Sequence, residues 1–334
     1  MSHFTFSKGL HDLGNGHYAY LQPNGGWGYS NAGLVVDGEE SLLVDTLFDE
    51  RLTAEMFATM KKATGIGGDE ISTLVNTHAN GDHTFGNRLA RNATIIASAS
   101  SIHEMSEEGS SPELLATLMR NPDQFGPAGA FVAKIFRGFD FAGVKLRLPD
   151  RSFSGQEVLK VGDKEVRLIE VGPAHTQGDT LVHVPRDKVI YTGDILFIEG
   201  TPIIWSGPVS NWIKACDLIC AMDVEVIVPG HGPITDKAGV RKMRDYLIFI
   251  DQETRKRHAA GMDSWEAAQD IALAHFAEWP DPERLVVNVD TLYRELNADD
   301  TSSRDMLGLF GRMGMLNKRY ETARACRCDG HHHP

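Results

Sequence analysis

The stretch 77–87, Thr-His-Ala-Asn-Gly-Asp-His-Thr-Phe-Gly-Asn, constrains this chain more than any other. It follows an apolar segment, residues 71–75, that predicts a buried strand, and residues 84–91 behind it predict a short helix. Alternation along an extended loop, with Gly81 allowing a tight turn, can point four polar side chains into one volume. These are His78, Asn80, Asp82 and His83. Imidazole and carboxylate groups suit a borderline cation such as zinc, whereas the alternative is a polar loop that caps the following helix.

Composition and charge narrow the choice of partners. The 334 residues carry a formal net charge of −13, and an acidic surface repels phosphate backbones, so we expect no nucleic-acid partner. No apolar run approaches the ~18 residues that cross a membrane, and residues 1–6 lack the features of a signal peptide. We therefore expect a cytoplasmic protein that acts on a small molecule and has no membrane partner. A homodimer is compatible with the sequence.

The four cysteines fit a reducing compartment. Cys216 and Cys220 lie four residues apart on a predicted helix, where burial as small hydrophobic side chains is the better interpretation. Cys326 and Cys328 precede three histidines, His331 to His333, and this cluster could bind metal adventitiously. We expect residues 326–334 to form a disordered tail.

The rest of the chain divides into a core and two helical additions. Residues 17–45 predict antiparallel strands, and residues 49–64 predict an amphipathic helix ended by a glycine. Residues 98–145 predict three helices and are too long for an ordinary connection. They could form a lid over the site or a packing appendage. Residues 236–325 predict a helical C-terminal extension.

Three further loops repeat the order of the first one, with a strand, a Gly or Pro, and then a metal-ligand residue. They place His175 after the predicted strand 165–171, Asp194 after a hairpin, and His231 after the predicted strand 225–228. Chance would scatter these residue types over helices and strand interiors as well. Four such loops therefore predict a metal centre more strongly than one does.

These four loops resemble the motifs of the metallo-β-lactamase superfamily. The matching segments are residues 77–83, 174–176, 192–194 and 230–232, and the resemblance covers roughly residues 17–235. It implies an α/β fold, an αββα sandwich with the metals at one edge, and a catalytic domain over residues 1–235. Here the insertion 98–145 and the helical tail would be additions to the superfamily fold.

The resemblance also implies a ligand set. His78 and His175 match ligands of the first metal position, while Asp82, His83 and His231 match ligands of the second. Asp194 matches the carboxylate that bridges both positions in glyoxalase II and in lactonases. True β-lactamases lack an Asp there, so Asp194 argues against that activity.

Asn80 departs from the family pattern, which usually has His at this position. An amide oxygen is a poorer zinc ligand than imidazole, so we expect one tightly bound zinc at the second position and a first position that is weak or empty. Asn80 could coordinate, or it could hydrogen-bond a neighbouring ligand or the substrate. Asp179, four residues after His175, could orient that histidine or cap a turn.

The expected activity is zinc-dependent hydrolysis. A zinc ion with an open position lowers the pKa of bound water to about 7, and the resulting hydroxide would attack an ester, thioester, lactone or amide, with Asp82 holding and deprotonating the water. No Gly-X-Ser-X-Gly motif supplies a rival nucleophile.

Other functions on the same scaffold remain open. Related branches of the superfamily act as cyclases, thioesterases or hydrolytic dehalogenases of aromatic rings. A di-iron oxidoreductase would carry Glu where Asn80 stands, and a non-catalytic binding protein on a decayed site is hard to reconcile with six retained ligand residues.

Overall fold

The computed structural model describes residues 4–23, 26–107, 111–298 and 303–329, with side chains described as far as residue 323. The predictions for Cys326, Cys328 and His331 to His333 therefore lie outside the described side chains.

The first sheet contains seven strands whose spatial order follows the chain. The first four pair antiparallel, and the remaining pairs are parallel. The strands are β1 (Gly9–Gly14), β2 (His17–Leu21), β3 (Ala32–Asp37), β4 (Glu40–Val44), β5 (Thr73–Val75), β6 (Thr94–Ser98) and β7 (Arg151–Phe153). The sequence did not predict β1 and β7, which are the two edge strands of this sheet.

The second sheet contains five strands in the order β12-β11-β10-β9-β8. The strands are β8 (Gln156–Val161), β9 (Lys164–Glu170), β10 (Thr180–Val184), β11 (Val189–Tyr191) and β12 (Val226–Val228). Strands β11 and β12 are parallel, whereas the other pairs are antiparallel.

Ten α-helices accompany the sheets in the described parts of the chain. They are α1 (Glu50–Thr64), α2 (Gly81–Thr84), α3 (Ala99–Met105), α4 (Pro112–Arg120), α5 (Gly126–Ile135), α6 (Val209–Ala221), α7 (Lys237–Ala259), α8 (Ser264–Asp270), α9 (Leu285–Leu296) and α10 (Met306–Asp329). Helix α10 continues past residue 325, where the sequence predicts the helical extension to end.

Strand alternation builds four layers. On β3 and β4, Val35 and Leu42 belong to a buried cluster that also contains Val182 of the other sheet, so these faces pack against each other. Leu34 and Leu43 point the other way, into a second cluster shared with helices such as α1. The two sheets are therefore face to face with helices outside, which confirms the expected αββα sandwich.

Local signals set the bounds of several helices. The side chain of Asp49 accepts from the backbone N–H of Leu52 at 2.6 Å, and Gly65 at φ 82° ends α1. Asp263 and Glu266 form a capping box at the start of α8. Asp281 precedes a helical turn at Pro282, but its side chain does not cap that turn; it pairs with the guanidinium of Arg284 at 3.1 Å instead.

The two helical additions pack on each other. Residues 98–145 contain α3, α4 and α5, which lie between the parallel strands β6 and β7. Phe131 and Val132 of α5 are buried in one cluster with Met313 of α10, and Lys134 binds the Glu321 carboxylate at 2.7 Å. The insertion is thus tied to the C-terminal helix, and its role as a lid stays a prediction.

We expect Phe131→Ala to lower the free energy of unfolding by about 3–5 kcal/mol, the usual cost of deleting a buried aromatic ring. Phe131 is 3% exposed and packs edge-on against Trp27. Urea denaturation of the variant measures the loss. The control Lys134→Ala removes the neighbouring surface ion pair and should cost less than about 1 kcal/mol. Equal losses in the two variants would show that α5 does not pack through its apolar face.

Candidate metal centre

The predicted ligand residues all lie at one edge of the sandwich. His78 follows the end of β5, His175 lies between β9 and β10, and Asp194 and His231 follow β11 and β12. Gly230 permits the close approach of two of these loops, since a Cβ there would lie 2.0 Å from the Asp194 Oδ1 atom.

The helix after the first motif begins earlier than the sequence predicts. Instead of a helix over residues 84–91, the short helix α2 starts at Gly81, and a separate 3₁₀ turn covers Asn87–Leu89. The Asn80 carbonyl accepts from the N–H of His83 at 3.0 Å, and this bond closes the first turn within the motif. Asp82 and His83 are therefore held on helical backbone rather than on an extended loop.

The structure brings the six predicted metal ligands together in two groups of three. In each group, one potential ligand atom from every residue lies within 4.8 Å of the others. The groups are His78, His175 and Asp194, and Asp82, His83 and His231. The resemblance implies the same division of the four histidines and Asp82, with Asp194 shared by both metal positions.

Asp194 lies between the two groups. Its Oδ2 is 3.3 Å from the Nε2 atoms of both His175 and His231, and its Oδ1 is 3.1 Å from the Nε2 of His83. Asp194 Oδ1 and the Nε2 atoms of His78 and His83 are buried and make no hydrogen bond in the described part of the chain, since the 3.1 Å contact between Oδ1 and the His83 Nε2 lacks hydrogen-bond geometry. Buried polar atoms are rarely left unpaired, so this donor set fits a metal ion.

Each of the four histidines is held through its Nδ1 atom, which leaves Nε2 for the cluster. The Nδ1 partners are the Thr77 hydroxyl for His78 (2.9 Å), the Ile203 carbonyl for His175 (2.7 Å), the Asp45 carboxylate for His83 (2.9 Å) and the Tyr29 carbonyl for His231 (3.1 Å). Such partners fix the tautomer and the ring direction of metal-binding histidines.

Asp45 is a site residue that the sequence analysis missed. Its Oδ1 accepts from the Thr77 N–H and its Oδ2 accepts from the Thr77 hydroxyl, both at 2.7 Å, while Oδ2 also meets His83. Burial raises the pKa of Asp45, although His83 and Thr77 oppose that shift. The signal in the sequence was the position of Asp45, directly after β4, at the same sheet edge as the four motifs.

The charges of the cluster are strongly coupled. Burial favours neutral histidines, and it lowers the pKa of His175 to about 4. For His231, the carboxylates of Asp194 and Asp82 outweigh burial and raise the pKa to about 9. Burial also raises the pKa of Asp82, but His83 and His231 overcome it and bring the value to about 2. A metal ion must displace protons from such histidines, so metal affinity falls as the pH falls.

The cluster opens to solvent on the side of the second group. The side chains of Asp82 and His231 are each 13% exposed, whereas those of His78, His83 and His175 are fully buried. Phe197 supports the ring of His231 from behind, in a stacked arrangement with centroids 4.8 Å apart. A substrate would therefore reach the cluster at Asp82 and His231.

Asn80 lies beside the first group. Its amide nitrogen, Nδ2, is 3.0 Å from the Nε2 of His175. Since the Nδ1–H of His175 donates to a carbonyl, its Nε2 carries the lone pair that accepts from Asn80. In this arrangement Asn80 hydrogen-bonds a neighbouring ligand residue.

Asp179 shapes the loop that carries His175. Its carboxylate accepts from both the N–H and the hydroxyl of Thr176, at 2.9 and 2.8 Å. Burial raises its pKa to about 8 despite these bonds. Asp179 is not a member of either group of clustered ligand atoms, so its contribution is to the turn after His175.

Three comparisons relate the chain to known proteins. A family model described as the metallo-beta-lactamase superfamily matches residues 25–231. The 2,4-dinitroanisole O-demethylase subunit alpha of a Nocardioides strain is 25% identical over 168 residues, or 48% of this chain and 40% of that protein. A beta-lactamase-like protein 2 homolog of Caenorhabditis elegans is 22% identical over 65% of this chain and 60% of its own length. The chain thus spans about half of these two relatives.

A third relative and two solved structures extend the comparison. A probable metallo-hydrolase of Methanocaldococcus jannaschii is 22% identical over 64% of this chain and 92% of its own length. Among solved structures, the sec-alkylsulfatase Pisa1 of Pseudomonas sp. has a TM-score of 0.64 at 14% identity, over 89% of this chain and 52% of its own. A metallo-beta-lactamase from Pontibacter korlensis has a TM-score of 0.54 at 16% identity, over 72% of this chain and 98% of its own. These structures share the fold.

Among the helices within the described ranges, none combines the length and the apolar character that a membrane span needs.

Proposed function

Because the chain belongs to the metallo-β-lactamase superfamily, we propose that it is a zinc-dependent hydrolase of a small-molecule ester, thioester, lactone or amide. The observation that carries the proposal is the position of Asp194 between two groups of ligand atoms, each complete with three donors. Four histidines and two carboxylates at this spacing suit zinc. The net charge of −13 favours a small molecule over nucleic acid as the substrate.

A metal ion bound here would supply Lewis-acid chemistry, activating water and stabilising negative charge on the reacting carbonyl. The chain's own residues then orient the reactants. Asp82 is ionised and lies at the exposed side of the cluster, so its carboxylate can accept a hydrogen bond from the attacking water and take up its proton. His231 faces the same opening, with its Nε2 3.3 Å from the Oδ2 of Asp82.

We also propose that one ion is bound tightly, at Asp82, His83, Asp194 and His231. The hydrogen bond from Asn80 to the Nε2 of His175 supports this, since it uses the lone pair that an ion at the first position would need. A second ion at the first position must break that hydrogen bond. Residue 80 then offers it no imidazole ligand in return.

The number of ions tests this part of the proposal. Native mass spectrometry at limiting zinc should find close to one tightly held ion per wild-type chain. Asn80→His adds an imidazole ligand, so it should raise the affinity of the first position by about 10-fold or more. Asn80→Ala removes the competing amide without adding a ligand, so its gain should be smaller. Two tightly held ions in the wild type would contradict the one-ion proposal.

A second candidate reaction is hydrolytic displacement at an aromatic ring. Trp205 and Phe310 are half-buried and stacked, and the backbone N–H of Trp205 donates to the carbonyl of His175. This aromatic pair lies next to the loop of the first ligand group. One relative is named for O-demethylation of 2,4-dinitroanisole, an aromatic ether.

A substrate panel separates the candidates. The zinc-loaded protein should turn over at least one class among aryl esters, lactones, thioesters, halogenated aromatics and nitroaryl methyl ethers. The same protein stripped of metal serves as the control and should be inactive. Turnover only of the last two classes would favour the aromatic reaction, and a protein that takes up no metal would favour the binding-protein alternative.

A further inference from the structure

Residues 201–205 form a buried segment without regular secondary structure. Its backbone N–H and C=O groups therefore need hydrogen-bond partners from outside a helix or a sheet. Four of its five successive carbonyls accept from side chains of the C-terminal helical extension. The donors are Arg284 to Thr201 (2.8 Å), Asn288 to Pro202 (3.0 Å), Thr291 to Ile204 (2.6 Å) and Arg304 to Trp205 (2.7 Å).

The fifth carbonyl, in the middle of this segment, holds a predicted metal ligand. The carbonyl of Ile203 accepts from the Nδ1 of His175 at 2.7 Å. The backbone N–H groups of Trp205 and Ser206 both donate to the His175 carbonyl at 3.0 Å. The segment therefore contacts His175 through both its ring and its backbone.

Asn288 of α9 hydrogen-bonds the peptide unit whose carbonyl accepts from His175. Its Oδ1 accepts from the N–H of Ile204 at 2.8 Å, and this N–H belongs to the same planar peptide unit as the Ile203 carbonyl. Asn288 and His175 thus bind opposite sides of one rigid group. Hydrogen bonds arranged in such a chain polarise and strengthen one another.

The orientation of the Asn288 amide is fixed by its partners. The Nδ2 atom donates to the Pro202 carbonyl at 3.0 Å and to the Tyr246 hydroxyl at 3.1 Å, while the opposite end meets an N–H donor. A flipped amide would set donor against donor at Ile204. Asn288 is fully buried, so all of these bonds are shielded from water.

We propose that Asn288 is a positioning residue for His175. By fixing the Ile203–Ile204 peptide unit, it keeps the proton of His175 on Nδ1 and leaves Nε2 without a proton, as an acceptor for Asn80 or as a donor to a metal ion. Asn288 lies outside residues 25–231, the part that matches the superfamily. The C-terminal extension thereby acts on the metal centre without contributing a ligand of its own.

The tautomer of His175 in the metal-free protein provides a direct test. Long-range ¹H–¹⁵N spectra of histidine-labelled protein, with the His175 signals assigned by a His175→Gln variant, report which nitrogen carries the proton. The wild type should show the Nδ1–H form alone, while Asn288→Ala should show both tautomers. Tyr246→Phe is the matched control, because it removes a buried partner of Asn288 and leaves the bond to Ile204 intact.

Two further variants distinguish positioning from a loss of packing. Asn288→Asp keeps an acceptor for the Ile204 N–H, so it should preserve the Nδ1–H tautomer even where stability falls. Asn288→Leu fills the same volume without an acceptor, so it should behave like Asn288→Ala, and it replaces that variant if Ala fails to fold. A single Nδ1–H tautomer in a folded Ala or Leu variant would overturn the proposal.

A second readout, which rests on the proposed function, is zinc binding. Asn288→Ala should weaken the ion at His78, His175 and Asp194 by about 10-fold or more, as is usual when the partner of a ligand is lost, and should leave the other ion in place. Native mass spectrometry at excess zinc measures both. If the wild type binds no zinc, the proposed function fails, and the tautomer comparison still decides the role of Asn288.

Discussion

Asp194→Ala should lose metal at both positions and, with it, hydrolytic activity. Its carboxylate lies close to histidines of both groups, with Oδ2 3.3 Å from the Nε2 atoms of His175 and His231 and Oδ1 3.1 Å from that of His83. Substitution of a residue that only hydrogen-bonds a metal ligand usually lowers the metal affinity by about 10–100-fold. Removal of a shared ligand should therefore cost more than about 100-fold, which metal analysis after dialysis can measure.

Asp187→Ala is the matched control for this experiment. Asp187 is also paired with a buried histidine, His17, at 2.8 Å, and it binds Lys164 at 2.6 Å, but it is in neither group of clustered ligand atoms. The control should lose some stability and keep its metal. If Asp194→Ala retained its full metal content while folded, the assignment of the bridging ligand would be wrong.

Asp45→Asn should reduce zinc affinity by about 100-fold although Asp45 is not a predicted ligand. An amide in this position must keep Oδ1 on the Thr77 N–H, because the flipped orientation would place its NH₂ group against that N–H, and both groups are donors. The amide NH₂ then faces the Nδ1 of His83 and the Thr77 hydroxyl, where the carboxylate now accepts. His83 must move its proton to Nε2, the atom that a metal needs.

The Asp45→Asn substitution also affects the group that contains His78, through the hydroxyl of Thr77. In the wild type the Thr77 hydroxyl donates to Asp45 and lies 2.9 Å from the Nδ1 of His78, so it accepts from that ring. With an amide donating to it, the hydroxyl would turn its own proton toward His78 and reverse that tautomer as well. One histidine in each group is affected, which places the expected loss at the upper end of the usual 10–100-fold range.

Two measurements check the Asp45 prediction. Zinc titration should show the loss of affinity, and denaturation of the metal-free protein should show a loss of about 3–5 kcal/mol, as expected when one partner of a buried charge pair is removed. Asp49→Asn is the control, since this buried Asp caps α1 through the N–H of Leu52 and touches no histidine of the cluster. Asn is also a good N-cap, but the other carboxylate oxygen of Asp49 accepts from the N–H of Asp140 at 3.0 Å, so this control should keep its metal while losing some stability. Wild-type zinc affinity in Asp45→Asn would mean that the tautomers are set elsewhere.

The sequence predicted which candidate ligand residues cluster in the fold, because their signal is local. Four of these residues each follow a strand after a short turn, namely His78, His175, Asp194 and His231. Strand ends at the same edge of a sheet lie close together in space, even when they are far apart in the sequence. Residues 17–45 likewise predicted antiparallel strands, and Asp49 and Gly65 predicted the ends of α1. The start of α2 was harder to predict, since Gly81 in the middle of a motif reads as a turn and became the first helical residue.

The partners that orient those ligands were decided only by the tertiary structure. Asp45 lies 38 residues from His83, and Asn288 lies 84 residues from Ile204, so no spacing pattern links them. A buried Asp or Asn has the same local chemistry in a cap, a turn or a core network, and what it binds depends on which backbone group the packing of distant elements brings within about 3 Å. The sequence alone therefore determined which atoms could hold a metal, whereas the packing of β4 and α9 against the ligand loops determined which nitrogen of each ring faces it.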